Sequence, residues 1–143
     1  MITIQNGIGK PELVKDSLWV RNLVFQQEQG IPFHLDDDGT DTNCFIVVIY
    51  DQEQPVGTGR LSLKENQIAR IAVLPEHRGK GYSFQILDLL ESYAQEQDLA
   101  FVKLTPHLDL LAYYGKRGYE EVADSRFSVA GHDLTVMTKS FQQ

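Results

Sequence analysis

Cysteine is almost missing from this chain, long apolar runs are absent, and positive charge is in short supply. The single cysteine, Cys44, excludes an internal disulfide and any cysteine-only metal cage. No segment approaches the roughly 20 apolar residues of a membrane-spanning helix. The opening "MITIQNGIGKPE" lacks the apolar core of a signal peptide, so a cytoplasmic setting without membrane attachment is expected. Thirteen Lys and Arg face twenty Asp and Glu, for a net charge of -7, which argues against a nucleic-acid surface. The same imbalance suits a cationic partner such as an amine. Repeats and low-complexity tracts are also missing. What remains is ordinary: 143 residues, 42% apolar and 23% charged, fit one folded domain over residues 1–143 with a two- or three-layer core.

Periodicity divides the chain into alternating elements. "ITIQ" at residues 2–5 reads as a first strand, and residues 13–27 place Val14, Leu18, Arg21, Val24 and Phe25 at helical spacing. A polar loop, "EQGIPFHLDDDGTD", leads to "CFIVVIYD" and "PVGTGRLSL", a hairpin by spacing. "NQIARIAVLP" is a strand ended by Pro75. Residues 79–97 carry Tyr82, Ile86, Leu89, Leu90, Tyr93 and Ala94 on one helical stripe, and "AFVKLTP" is a further strand. A short helix in "DLLAYYGKRGY" should end at Gly118, and two extended runs flank Ala130–Asp133. The strand near 67–74, its helix and the strand near 100–105 form a parallel, right-handed crossover. The surrounding hairpins are antiparallel, so the expected class is α+β: a mixed, mostly antiparallel sheet flanked by helices.

The chemistry concentrates where that crossover helix begins. "VLPEHRGKGYS", from Val73 to Ser83, sets Arg78, Gly79, Lys80 and Gly81 at the junction of a strand and a helix. First-turn N–H groups have no intrahelical partner, and the helix dipole is positive there, so an anion is favoured. Glycines let a phosphate approach the backbone closely. Neither a nucleotide-triphosphate loop nor a third glycine for a dinucleotide fingerprint is present. A plain solvated turn is the alternative.

This segment resembles the acyl-CoA motif of the GCN5-related N-acetyltransferases, Arg/Gln-x-x-Gly-x-Gly/Ala after a strand ending in Val-x-Pro. Arg78, Gly81 and Ser83 stand at its defined places, with Ser83 departing from the usual small apolar residue. "AYYGKRGYEEV" is similar to the family's later Phe-Tyr-x-x-x-Gly-Phe segment. "RNLVFQQEQGIP", "GTGRL" and "AGHDLTVMTK" resemble the ElaA-like branch. The resemblance implies that the chain uses acetyl-CoA as donor substrate. Backbone amides from Arg78 through Gly79, Lys80, Gly81 and Tyr82 to Ser83 would hold its pyrophosphate. Its pantetheine arm would pair with Ile71, Ala72 and Val73 as an added strand. A neutral amine of a small molecule or peptide would attack the thioester directly in a ternary complex. Tyr114 would act as general acid toward the departing thiolate, and a backbone N–H near Ala72 or Val73 would polarise the carbonyl. The resemblance also admits a homodimer, and it implies no metal.

The acceptor half is less defined. Relatives often carry a glutamate early in the motif strand, where this chain has Ala69–Arg70, so base candidates are Glu28, His107 and His132. His107 stands where many relatives have asparagine and could position substrate. His132 matches a histidine of the ElaA-like branch. Adjacent helix positions point about 100° apart, so only one of Tyr113 and Tyr114 is expected to face the cleft. "DDDGTD" fails as a calcium loop, because with Gly39 sixth the first and twelfth ligands would be His34 and Phe45. It reads as a solvated acidic loop, or as Asp36, Asp37 and Asp38 attracting a cationic acceptor. Cys44 is read as a buried small hydrophobe, and Gly57 and Gly59 as a bulge or close backbone approach. Two alternatives to an acetyltransferase remain: a non-catalytic acyl-CoA sensor or interaction module, and an acyl-transferring signal synthase.

Overall fold

Six consecutive apolar residues in "FIVVIY" form a strand buried on both faces, and the fold grows from it. The computed structural model describes residues 1–141. In chain order, β1 (Ile2–Ile8) precedes helix α1 (Pro11–Arg21), which widens into a π-helical stretch over Asn22–Glu28. A single turn, α2 (Phe33–Asp36), leads to β2 (Phe45–Asp51), β3 (Gln54–Ser62) and β4 (Gln67–Val73). Helix α3 (Tyr82–Glu96), β5 (Phe101–Leu104), α4 (Leu111–Gly115) and β6 (Glu120–Glu121) follow. The hairpin β7 (Phe127–Val129) and β8 (His132–Leu134) stands apart from the main sheet, and β9 (Met137–Ser140) returns to it.

The sheet order is β1-β2-β3-β4-β5-β9-β6, with β4 and β5 parallel and every other neighbouring pair antiparallel. This is the mixed α+β architecture, with its crossover, that the periodicity predicts. Two helices cover opposite faces of β3. Thr58 turns to α1, its hydroxyl 2.7 Å from Ser17 Oγ and 2.9 Å from the Val47 carbonyl. Its neighbours Gly57 and Gly59 turn the other way, toward α3. A Cβ on Gly59 would lie 2.5 Å from Ile86 Cγ2, so glycine is what lets α3 rest on the sheet. Ile86 and Leu90 are fully buried there, each contributing roughly 1.5–3 kcal/mol of apolar burial.

Three element details differ from the sequence pattern. The buried stripe of α1 runs through Leu13, Ser17, Val20 and Arg21, one step from the stripe through Val14 and Leu18, because Ser17 seats the helix against Thr58. The crossover helix starts at Tyr82, not residue 79, because Gly79 and Gly81 take φ of 79° and 83°. The first strand runs on to Ile8. Gly118 does close the short helix, with φ of 93°. Cys44 is buried immediately before β2, as its apolar setting predicts.

Candidate active site

Parallel neighbours β4 and β5 are joined by one register pair, Gln67 with Lys103. The register between β3 and β4 shifts between Thr58 and Arg60, and Arg70 takes φ of 59°. Such a bulge bends the strand, so the rest of β4 leaves β5 and a gap opens. Two cavities, of about 260 and 390 Å³, border this gap. They share Gln29, Ile71, Leu110 and Tyr114, and therefore meet at those four residues.

The smaller cavity is walled by Ile71, Ala72 and Val73 and by the loop from His77 to Ser83, with Lys80 outside its lining. Leu74 donates its N–H across to Val56 at 2.9 Å, so Leu74 and Ala72 turn their main-chain groups to β3. By alternation Val73 turns its own toward the gap. Of the two amides named from the sequence, Ala72 and Val73, that of Val73 is the one facing the gap. Among the described residues, the N–H groups of Gly79, Lys80, Gly81, Tyr82 and Ser83 have no partner, and no side chain caps α3. An ideal Cβ at Gly79 or Gly81 would meet nothing within 4 Å, so positive φ, not crowding, requires glycine there. The loop is thus a row of free donors at the positive end of a fifteen-residue helix. The Ser83 hydroxyl pairs with Tyr113, Oγ lying 3.1 Å from Tyr113 Oη.

Arg78 is committed to its own chain. Its Nε donates to the Val73 carbonyl at 3.0 Å, and Nη1 and Nη2 donate to the Glu28 carboxylate at 2.8 and 2.7 Å. The hydrogen bonds from Arg78 hold the Glu28 pKa below its ordinary value against the opposing effect of desolvation. Glu28, considered as a base from the sequence, is thus held in an ion pair with Arg78.

Tyr114 borders both cavities, and its hydroxyl has no partner among the described residues. Burial, with Tyr113 adding to it, pushes its pKa up to about 12, so the phenol carries its proton throughout the neutral range. Tyr113 also lines the smaller cavity, against the expectation that only one of the pair would. The reason is that α4 is little more than one turn long. The two rings pack edge to face at 4.9 Å and wrap one wall. Arg117, 3.9 Å from the Tyr113 ring centre and 3.2 Å from that of Phe84, clamps that wall from behind.

The larger cavity is mostly apolar and includes His107. His132 stands behind it: the two rings meet edge to face at 5.0 Å, and His132 Nε2 lies 2.9 Å from the Gln29 carbonyl oxygen. A protonated Nε2 donating to that carbonyl leaves Nδ1 as the basic nitrogen of the neutral ring.

The acidic loop is neither solvated throughout nor free to attract a cation. Arg21 Nε donates to Asp36 Oδ1 at 3.0 Å, and Nη1 to Asp41 Oδ1 at 2.6 Å. Arg60 bridges Asp41 and Asp38 at 3.0 and 2.8 Å, while Arg70 Nε lies 3.3 Å from Asp36 Oδ1. The Asp36 side chain, expected from the sequence to contact substrate, is fully buried in this network, although the residue belongs to the lining of the larger cavity. Sequence reasoning missed Arg70, which borders the cavity. The available signals were an arginine within the apolar strand Ile68–Val73 and another, Arg21, on an apolar helical stripe.

Residues 26–141 match the family model for an acetyltransferase (GNAT) domain. The chain is 33% identical over 122 residues to the uncharacterised N-acetyltransferase YjcF of Bacillus subtilis, covering 84% of this chain and 87% of that one. Its fold is similar to Escherichia coli ElaA, with a TM-score of 0.85 at 21% identity over 98% of this chain and all of the other. It is also similar to a GNAT-family acetyltransferase from Elizabethkingia anophelis with acetyl-CoA bound, with a TM-score of 0.70 at 16% identity over 98% of each chain. Among the described residues no helix is long and apolar enough to cross a membrane, and no cluster of His, Cys, Asp or Glu could hold a metal.

Proposed function

Since this chain belongs to the GNAT acetyltransferase family and is an acyltransferase, we propose that it moves an acetyl group from acetyl-CoA to a primary amine by direct attack in a ternary complex. The observation that carries this reading is the meeting of two cavities at Tyr114, one of them edged by unpartnered amides. The Gly79–Ser83 amides would receive the pyrophosphate, and the Ile71–Val73 edge the pantetheine arm. The Val73 N–H would face the thioester oxygen as charge develops on it, the arrangement that gives preorganised dipoles their catalytic weight.

The neutral amine enters from the larger cavity. Its nitrogen forms the new C–N bond, the C–S bond breaks, and the sulfur leaves as thiolate. Transfer of a proton from a phenol near 12 to a thiolate whose acid form lies near 8.5 is uphill. Tyr114 therefore acts chiefly by donating a hydrogen bond to the leaving sulfur. The proton lost by the amine passes to His107, with His132 behind it, and finally to solvent or the thiol.

Initial rates with both substrates varied, across polyamines, amino acids, aminoglycosides and peptide N-termini, test the scheme. Intersecting lines are expected for at least one acceptor class. Parallel lines with an acetylated protein by mass spectrometry, or no turnover in any class, would overturn it.

A further inference from the structure

The larger cavity has one accessible charged group, and it is a cation. Asp36 and Arg70 are the charged residues on its wall. Asp36 has a fully buried carboxylate, whereas the Arg70 side chain is 23% exposed. Arg70 is anchored by Nε to the Asp36 carbonyl at 2.9 Å and by Nη2 to the Leu35 carbonyl at 3.1 Å, which leaves Nη1 without a partner among the described residues. The anchored guanidinium is thus preorganised, and holding a ligand there costs little side-chain entropy.

Position adds to charge. Side chains alternate across a regular strand, but the bulge at Arg70, with φ of 59°, breaks the alternation. Ile68, Ala69, Arg70 and Ile71 consequently all line this cavity. Ile71 also belongs to the junction with the donor cavity, so Arg70 is the next residue to the point where an amine would meet the thioester. A cation and a junction carried by consecutive residues suit a compact molecule that bears both an amine and an anion. Beyond them the wall is largely apolar, with Leu35, Phe127, Val129 and Leu134 on it, while Gln29, Thr105 and His107 are its uncharged polar side chains.

We infer that the acceptor is a free amino acid with an apolar side chain, its carboxylate held by Arg70 and its side chain lying against Leu35, Phe127, Val129 and Leu134. The inference deepens the acetyl-transfer reading and rests on it. Burial, and then the fields of Arg60 and Arg21, lower the Arg70 pKa from its ordinary value against the opposing fields of Asp36 and Asp38. This choice is opposite in sign to the one that overall acidity suggests.

Product-like ligands separate this inference from turnover. Calorimetry on the intact protein would compare N-acetyl-leucine with N-acetyl-leucinamide, which differ only in the charged group, with and without CoA. The acid should bind roughly 10- to 100-fold more tightly, the range for a hydrogen bond to a charged group. Arg70→Gln should bring the two ligands to similar affinity. Equal affinities, preference for the amide, no binding of either ligand, or a preference that survives in Arg70→Gln would overturn the inference. The wild-type comparison decides the matter even where the variant fails to fold. Absent CoA binding alongside a clear preference for the acid would instead overturn the acetyl-transfer reading.

Discussion

Glu28 and Arg78 face each other through two hydrogen bonds of 2.8 and 2.7 Å, across 50 residues of chain. The pair ties the end of the π-helical stretch to the start of the Gly79–Ser83 loop and keeps the guanidinium beside it. Both side chains are substantially exposed, so the pair is worth at most about 1 kcal/mol. Glu28→Gln should accordingly leave kcat within about threefold of wild type and change KM for acetyl-CoA by a similar factor. A hundredfold fall in kcat would return the carboxylate to a catalytic role.

Tyr114→Phe removes one hydroxyl from the junction of the two cavities and leaves the ring that packs edge to face on Tyr113. Acetyl-CoA affinity should persist while kcat falls by roughly 10- to 100-fold, the scale of a hydrogen bond to a charged group. The pH profile carries a second expectation. With its pKa raised to about 12, Tyr114 is protonated below that value and loses its proton only as pH rises through it. The wild-type rate should therefore show no descending limb from this residue between pH 7 and 10. A descending limb in that range that disappears in the Phe variant would place the Tyr114 proton elsewhere on the scale.

Gly81→Glu tests the cradle. The backbone at this position has φ of 83°, which costs a non-glycine residue roughly 1 kcal/mol. Space itself is open, so the fold should survive with a slightly lower melting temperature. The new carboxylate would sit among the N–H groups proposed to hold the pyrophosphate, and acetyl-CoA binding should be lost in calorimetry. Near-normal affinity would show that the diphosphate lies elsewhere.

What was legible follows the range of the interactions involved. The Gly79–Ser83 loop could be read because positive φ, glycine and helix start are local, and Tyr114 because its flanking motif is local too. The crossover from β4 to β5 was visible as periodicity changing from strand to helix and back. The arginine–aspartate network was hidden. It draws on residues 21, 36, 38, 41, 60 and 70, and each aspartate looks solvated until the fold brings an arginine to it. The shared wall of Tyr113 and Tyr114 was misread because an angle of 100° separates directions only on a helix long enough to have a face. The gap between β4 and β5 depends on Arg70 taking a left-handed conformation that nothing in "QIARIAV" announces.

The same hidden network makes the last prediction. Arg21 is fully buried and is the group that Asp36 and Asp41 share. Arg21→Met would keep much of the side-chain volume but remove the charge between two buried carboxylates. Breaking such a pair from one side costs about 3–5 kcal/mol where the remaining charge has no other partner. Here Asp41 keeps Arg60 and Asp36 keeps Arg70, so a loss of about 3 kcal/mol is expected. Urea denaturation should show that loss, and a change below about 1 kcal/mol would mean that Arg60 and Arg70 suffice. Asp38, at the rim, gives the network a pH signature. Desolvation raises its pKa, but hydrogen bonds from Arg60 and Thr40 outweigh it and hold the group below its ordinary 3.8. A carboxylate with a depressed folded-state pKa stabilises fully above its unfolded value and progressively less as pH falls below it. Stability should therefore decline on acidification below about pH 4, and Asp38→Asn should flatten that decline while lowering stability at neutral pH.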